Sequence, residues 1–581
     1  MEKQLKEAVA YIESRPYANR IIGYRVTGGH TNEWLGWDAA RGRVLDFSIP
    51  AQKGFKKFVQ KHYPELKDYS IPTLRERQRT GFTDLLPDRE RFLKVIAYHE
   101  FYNQVLADKV IRLCTLAKKL LKYQKVVGTY YGYTVTLHGP GNSQMRAHYN
   151  LQKVLESRAV DFLFSPQAYA VRNLGDTCGD MKPFKTMLDH NVIPVIEDDT
   201  RTHNSAYMTY SGSFQTLTEK ASIAVMRRNA GIALSRNLPM YYYPVGNPYH
   251  FDFPAMKNEI STVRTLGEHC LLRQTPRKAE IAIVVSEETI KSMPIFTAAG
   301  NSNCYDQAYK ADGTVARYMT GGNPFCGESF LANLTRYARI GAPVDYLLAE
   351  DLVNHPGNYK LYFFINCYKS SPAFQKTVEK LRQKKNTLVW ISAPGYMTGR
   401  RNSVAEMKKL TAVPFEKMPS PTAPYVKMKD GRMMGSPSMK LDPMFCVPAS
   451  FNAETLGTYP NGKRAVVSAR TGKATTVYTG AYQFDMKFLT ELAQKAGVFL
   501  YSTSSDPMEA NEALFTLHAR FPGKKEIRLP RKTTVVDVFN RKIVARNTDR
   551  FTFDAPLHSS WLFYYGDDAE DLLKKLKKAV K

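Results

Sequence analysis

No apolar run in the 581-residue sequence approaches 18 residues, so no segment reads as a membrane-spanning helix. The seven cysteines are scattered singly, with no CxxC pair. That spacing argues against a structural zinc site or a disulfide framework, and the cysteines read as mostly buried thiols. There is no GxSxG elbow for a serine hydrolase and no HExxH for a metallohydrolase. No GxGxxG fingerprint or P-loop opens the α/β unit in the middle of the chain, so no nucleotide or other cofactor is expected. The N-terminal MEKQLKEAVAYIESR lacks the apolar stretch of a secretion signal and reads as an amphipathic helix with Leu5, Val9 and Ile12 on one face. Acidic residues are under-represented: 54 stand against 82 basic ones, leaving +28. Such an excess raises the question of a nucleic-acid or anionic-polymer partner. The basic residues are nevertheless spread through MRRN, RQKKN, GKKE and the tail KKLKKAVK, and no basic helix, finger or aromatic-glycine RNA motif organises them. A generally basic surface is expected, with neither a nucleic acid nor a membrane as partner.

What is present is a chain too long for one ordinary core. Through residue 275 short apolar strands alternate with longer helical stretches. Strands are expected at 21–29, 126–135, 160–169, 192–200 and 238–246, with helices around KGFKKFVQKHY, 89–123, RAHYNLQKVLES, PFKTMLDHN and TLTEKASIAVMRRNAGIALSRN. Parallel-type buried runs in this rhythm favour an α/β barrel over a doubly wound sheet. Only five strands are counted, whereas a closed barrel of this kind has eight. Residues 276–503 read as an open, Rossmann-like α/β unit built on KAEIAIVVS, PVDYLLAED, YKLYFFINC, TLVWISAPG and ATTVYTGAY. Within it, 411–462 is rich in Pro, Met, Lys and Gly and reads as an insertion or long excursion. Residues 504–581 carry short alternating strands (EIRLP, TTVVDVFN, KIVARNTDRFTFDA, SSWLFYYG), the pattern of a small antiparallel β domain closed by a charged helix.

In an α/β barrel the polar residues at the C-terminal ends of strands carry the chemistry. Two glutamates stand there: Glu33, after the first strand, and Glu197, at the end of the fourth, 197 − 33 = 164 positions apart. A pair of carboxylates across a cleft is what glycosidic-bond cleavage requires. One is held protonated for the leaving oxygen, and the other stays ionised to attack the anomeric carbon. Asn32 beside Glu33 is placed to hydrogen-bond a sugar hydroxyl. The plain alternative is that each Glu is a helix-capping or ion-paired carboxylate. Around the pair, Trp34 and Trp37 offer faces for a pyranose or pack against the barrel rim. His30 and His203 flank the glutamates as candidates for polar contacts to sugar hydroxyls, and without a third clustered ligand no metal is expected there. Tyr131, Tyr133 and Tyr169 are candidates to orient the nucleophile or line the sugar site, or else they pack. Ser165 and Gln167 are weaker candidates of the same kind. Arg201, which follows Asp198 and Asp199, is placed to pair with an adjacent carboxylate and help keep Glu197 ionised, or to form a loop salt bridge.

GYRVTGGHTNEW and NVIPVIEDDTRTH resemble the strand-four and strand-seven ends of clan A glycoside hydrolases, in which an Asn-Glu step supplies the acid/base and a later Glu the nucleophile. VVGTYYGYTVTLHG, VLESRAVDFLFSPQAY and EDDTRTH are similar to the β-galactosidase-like enzymes around glycoside hydrolase family 42. The resemblance covers nearly the whole chain, with 276–503 similar to that group's trimerisation domain and 504–581 to its small β domain. It implies a retaining β-glycoside hydrolase with Glu33 as acid/base and Glu197 as nucleophile, no cofactor, an oligo- or polysaccharide substrate and a homotrimer. It also implies a substrate-lining aromatic on the last strand, where Tyr241–Tyr243 stand, Tyr243 being the one taken. β-Galactoside is the first expectation, and β-mannoside or another β-linked hexose the second. One departure stands out. If Glu33 ends strand four, Met1 falls inside the preceding helix and the five strands counted are strands four to eight. A truncated chain, a barrel completed by another polypeptide, or a non-catalytic glycan-binding remnant is then the alternative. The compartment is left open.

Overall fold

Five runs rich in β-branched and aromatic residues pair as one parallel sheet in the order of their sequence. They are β1 (Gly23–Arg25), β2 (Val126–Tyr130), β3 (Phe162–Pro166), β4 (Ile193–Asp198) and β5 (Met240–Tyr242). The computed structural model describes residues 1–29, 32–35, 46–79, 84–135, 147–168, 171–205, 216, 218–244, 249–273, 275–296, 332–437 and 440–579. The fold is mixed α/β, with this sheet forming a curled half-barrel. Each strand is shorter than its apolar run predicts; past the β2 ladder, Tyr131, Tyr133 and Val135 leave the sheet yet stay buried. Register runs Gly23 beside Val126, Tyr130 beside Phe164, Phe162 beside Ile193, and Glu197 beside Tyr241. Gly128 is required in β2: a Cβ there would lie 2.2 Å from the Phe162 carbonyl oxygen and 2.3 Å from its ring.

The outer face of the sheet is covered by helices. Helices α1 (Glu2–Glu13) and α2 (Ile49–His62) pack on α3 (Arg89–Leu120), which with α4 (Phe184–Asp189) contacts the sheet, and α5 (Glu219–Ser235) lies between β4 and β5 in the chain. In α3, Ala107, Val110, Cys114 and Ala117 are buried at helical spacing, which gives the helix a continuous apolar stripe for the sheet. Ser48 and Thr218 cap α2 and α5 by accepting the backbone N–H of Ala51 and Ala221, satisfying donors that the first helical turn leaves open.

The second sheet has nine strands. Its parallel core is β6 (Ile281–Val285), β7 (Val344–Leu348), β8 (Leu361–Phe364) and β9 (Thr387–Ile391), five residues or fewer each and buried throughout. Next in chain order come β10 (Tyr425–Met428), β11 (Met433–Gly435), β12 (Glu454–Thr458), β13 (Arg464–Thr471) and β14 (Ala474–Thr479). The spatial order is β7-β6-β8-β9-β14-β13-β12-β10-β11, parallel as far as β14 and antiparallel beyond. Segment 411–462, expected as an excursion, therefore extends this sheet, with β10, β11 and β12 as its antiparallel edge. Its Pro, Gly and Lys content suits an edge, where unpaired backbone must be blunted.

The third sheet is antiparallel, with strands β15 (Met508–Ala510), β16 (Leu514–His518), β17 (Gly523–Asp537), β18 (Lys542–Ala555) and β19 (Ser560–Tyr564). EIRLP and TTVVDVFN, expected as separate strands, belong to the single strand β17. Its register slips between Arg528 and Thr533, around Pro530, which has no N–H to give to the ladder. A last helix, α6 (Ala569–Lys578), buries Leu572, Leu573 and Leu576.

The three sheets meet at a buried ion network. The carboxylate of Glu509 (β15) accepts from Arg236 Nε at 2.7 Å and from Arg277 Nε at 3.2 Å. Arg236 also pairs with Asp180, and Arg277 with Asp345 of β7. None of these five side chains is more than 9% exposed. Helix α5 lies close on β16, where a Cβ at Gly231 would fall 2.3 Å from Thr516 Oγ1.

Candidate active site

Tyr130, Phe164, Glu197 and Tyr241 share the inner face of the half-barrel, as their ladder register requires. The Phe164 ring lies 5.5 Å from both the Tyr130 and Tyr241 rings, and its edge-on contact with Tyr241 fixes that side of the cup. Glu197 stands near the end of β4 and is 5% exposed. The hydroxyls of Tyr130 and Tyr241 both donate to Glu197 Oε2. Arg25 Nη1 donates to the Tyr130 oxygen at 2.8 Å, so a guanidinium backs one of those phenols.

Burial raises the Glu197 carboxyl above its ordinary value, the two phenols pull it down, and the charges of Asp199 and Glu33 push it up. The same burial, with Glu197 as acceptor, raises Tyr130 and Tyr241, so both hydroxyls remain donors. Lys182 is enclosed beneath, its Nζ donating to the carbonyl oxygens of Leu163 (2.8 Å) and Val195 (3.1 Å). Burial pushes that ammonium down to about 7, against the pull of Asp180 and Glu197.

Glu33 is presented by a distorted bend after β1. Asn32 and Trp34 on either side have φ of +63° and +58°. Left-handed backbone is unusual for a bulky side chain and costs on the order of 1–3 kcal/mol. The bend is held from the opposite face of the sheet. Trp34 N–H donates to the Gly28 carbonyl at 2.7 Å, and its fully buried indole donates from Nε1 to Thr129 Oγ1 at 2.6 Å. Thr129 precedes Tyr130 and so faces the helices, where Trp34 follows it. Glu33, half-buried, receives the Tyr133 hydroxyl on Oε1 at 2.8 Å. His148 adds a second tie. Its Nδ1 accepts the Tyr133 backbone N–H at 3.3 Å, which leaves Nε2 to donate to the Glu33 carbonyl at 3.0 Å. The residues at the end of β2 thus reach both carboxylates, Tyr130 to Glu197 and Tyr133 to Glu33.

The other expected site residues fall in different places. Trp34 is in the core, with no ring face open to a sugar. Tyr131 is also fully buried, and its hydroxyl donates to the Ala147 carbonyl at 3.2 Å, a packing role. Arg201 pairs with the adjacent carboxylate of Asp199 at 3.1 Å, and Arg172 holds the same carboxylate from its other oxygen. Asp198 accepts from Thr200 N–H and Asn229, which commits it to the α5 side. His203 engages Ser222 at 3.0 Å and stacks edge-on against Phe253. Tyr243 is 45% exposed, its N–H donating to the Asp198 carbonyl at 2.9 Å. Asn32 is exposed. Ser165 and Gln167 are buried, and the Gln167 amide makes no hydrogen bond among the described residues. His30, Trp37 and Tyr169 lie outside the described residues. Sequence reasoning missed Arg25, Tyr130, Lys182 and His148, although Arg25 and Tyr130 stand inside GYRVTGGHTNEW and VVGTYYGYTVTLHG. The alternation along β2 is the one signal that separates inward Tyr130 from outward Tyr131.

No protein-family model and no curated protein sequence matches this chain. Solved structures do. The chain is similar to the β-galactosidase from Bacillus circulans sp. alkalophilus, at 11% identity and a TM-score of 0.61, over 97% of this chain and 82% of that one. It is similar to the β-galactosidase from the psychrophilic Marinomonas ef1, at 11% identity and a TM-score of 0.60, with the same coverage. A third is Gan42B, a GH42 β-galactosidase, at 13% identity and a TM-score of 0.57, over 97% of this chain and 81% of that one. Over 97% of its length the chain has the fold of these β-galactosidases.

Proposed function

We propose that the protein is a retaining β-glycoside hydrolase whose nucleophile is Glu197 and whose acid/base is Glu33. The observation that carries the reading is the shared anchoring of two carboxylates at the C-terminal end of a parallel half-barrel. Tyr130 and Tyr133 address one each, and the charge of Glu33 acts on Glu197. Both phenols bond to Oε2 of Glu197, which leaves Oε1 as the attacking atom. In the first step Oε1 bonds to the anomeric carbon while Glu33 gives its proton to the departing oxygen. In the second, Glu33 takes a proton from water, which releases the sugar from Glu197. A retaining pair works with carboxyl oxygens about 5–5.5 Å apart.

The β-galactosidases that share the fold support β-galactoside as the first substrate to assay, with β-mannoside second. The trimer and the three-unit division at 275 and 503 belong to the same reading. Turnover of aryl β-galactosides by the wild-type chain, abolished in Glu197→Gln with the circular dichroism unchanged, is the expected result. Undiminished turnover by the variant removes the nucleophile assignment. Glycan binding without turnover by the wild type favours a non-catalytic binding protein.

A further inference from the structure

His190, Asp351 and His355 come together from two distant parts of the chain, well separated from the carboxylate pair. His190 follows α4, and Asp351 and His355 lie in the turn after β7. His190 Nε2 is 2.8 Å from Asp351 Oδ1, and His355 Nδ1 is 3.1 Å from Asp351 Oδ2. One donor atom from each of the three residues falls within 4.8 Å of the others. The two rings are 5.2 Å apart at 70°, so their nitrogens converge without stacking.

The electrostatics of Asp351 are unusual. Its carboxylate is 1% exposed, and its partners are the two imidazoles, with no lysine or arginine among the described residues in ion-pair range. A buried carboxylate ordinarily sits with a fixed cation, because desolvation of an unpaired charge is expensive. Two nitrogens and one carboxylate oxygen form a donor set suited to borderline-soft divalent metals and ill suited to magnesium or calcium. With metal–ligand bonds of about 2.0–2.1 Å, tetrahedral ligands stand roughly 3.3 Å apart, close to the two spacings found.

We propose that His190, Asp351 and His355 bind one divalent transition-metal ion, zinc by chemistry, with a remaining coordination position open toward solvent beside the partly exposed His355. The ion neutralises Asp351 and clamps the half-barrel to the nine-stranded sheet. Its place in the fold makes it structural. His190 lies just before the N-terminal end of β4, and Glu197 stands near the other end, about 13 Å of strand rise from Ile193. The proposal is independent of the glycosidase reading.

The test is calorimetric titration of the full chain with zinc chloride at pH 7.5 after removal of metals by a chelator, with thermal unfolding followed alongside. One zinc per chain is expected, with a melting temperature raised by roughly 2–4 °C at saturation. Because its ring is partly exposed, His355→Ala preserves the fold, and it weakens zinc binding at least about tenfold and abolishes the thermal shift. Asp351→Asn does the same. Absence of saturable zinc binding in the wild type, or equal binding by His355→Ala, overturns the proposal and leaves a hydrogen-bonded His–Asp–His clasp. Magnesium as the sole competent ion overturns it as well.

Discussion

The hydroxyl of Tyr133 donates to Glu33 Oε1 at 2.8 Å, and the same tyrosine's backbone N–H fixes the imidazole that holds the Glu33 carbonyl. One residue therefore positions both the side chain and the main chain of the proposed acid/base. Tyr133→Phe removes a hydrogen bond to Glu33 that, in the ionised state that takes the proton from water, is worth about 1.5–3 kcal/mol. The expected result is a fall in kcat/KM of roughly 10- to 100-fold, carried mainly by kcat. Tyr131→Phe is the control, because its hydroxyl serves the Ala147 carbonyl. Equal losses in the two variants would mean that Tyr133 acts only through packing.

The pH dependence follows from Glu197. A nucleophile must be ionised, so kcat/KM falls as pH drops through the Glu197 pKa, which burial places above the ordinary 4.5. The Tyr130 and Tyr241 hydroxyls lower it. Removing either, in Tyr130→Phe or Tyr241→Phe, raises it, so the acid limb of the profile moves to higher pH. Stability runs the other way. Between the unfolded and the raised folded pKa the native state binds more protons, so Glu197 makes stability decline as pH rises through that window. An acid limb that stays in place in both phenylalanine variants would contradict the assignment.

Trp34 carries the bend that presents Glu33. Trp34→Ala empties a fully buried site and is expected to cost about 3–5 kcal/mol, measured by denaturant unfolding, with activity lost even under conditions where the variant is folded. Trp34→Phe keeps most of the volume but loses the bond to Thr129, at about 1 kcal/mol. Wild-type activity in a folded Trp34→Ala protein would separate the bend from the chemistry.

Glu509 neutralises Arg236 and Arg277 at the junction of the three sheets. Replacing it by Gln leaves two buried guanidinium groups with one carboxylate fewer between them. Breaking a buried network this way costs about 3–5 kcal/mol, and the loss should appear as a lower unfolding midpoint. An unchanged midpoint would show that Asp180 and Asp345 suffice.

Much of this was legible in the chain. GYRV, VVGTY, DFLFS, VIPVIED and MYY read as strands because parallel strands buried on both faces are nearly continuous apolar runs. The Asn-Glu step pointed to Glu33 because few carboxylates follow such a run. The side chains that support the pair were harder to see. Whether Tyr130 or Tyr131 faces inward depends on where β2 begins, and a one-residue slip reverses every side chain. Trp34 reads equally as a stacking or a rim-packing residue, because neither its left-handed backbone nor Thr129, 95 positions away, is visible locally. His190, Asp351 and His355 have no recognisable spacing, since 161 positions separate the first two. The edge formed by 411–462 was hidden because its Pro, Gly and Lys content belongs equally to a loop.

The central claim is that Glu197 is the atom donor to a covalent glycosyl-enzyme. The most direct measurement is incubation with a 2-deoxy-2-fluoro-β-galactoside bearing a good leaving group, followed by intact-mass analysis and peptide mapping. The expected result is one fluorosugar per chain, carried on the peptide that contains Glu197 and absent in Glu197→Gln. A label on any other carboxylate, or turnover of aryl β-galactosides with inverted anomeric product and no label, would contradict it.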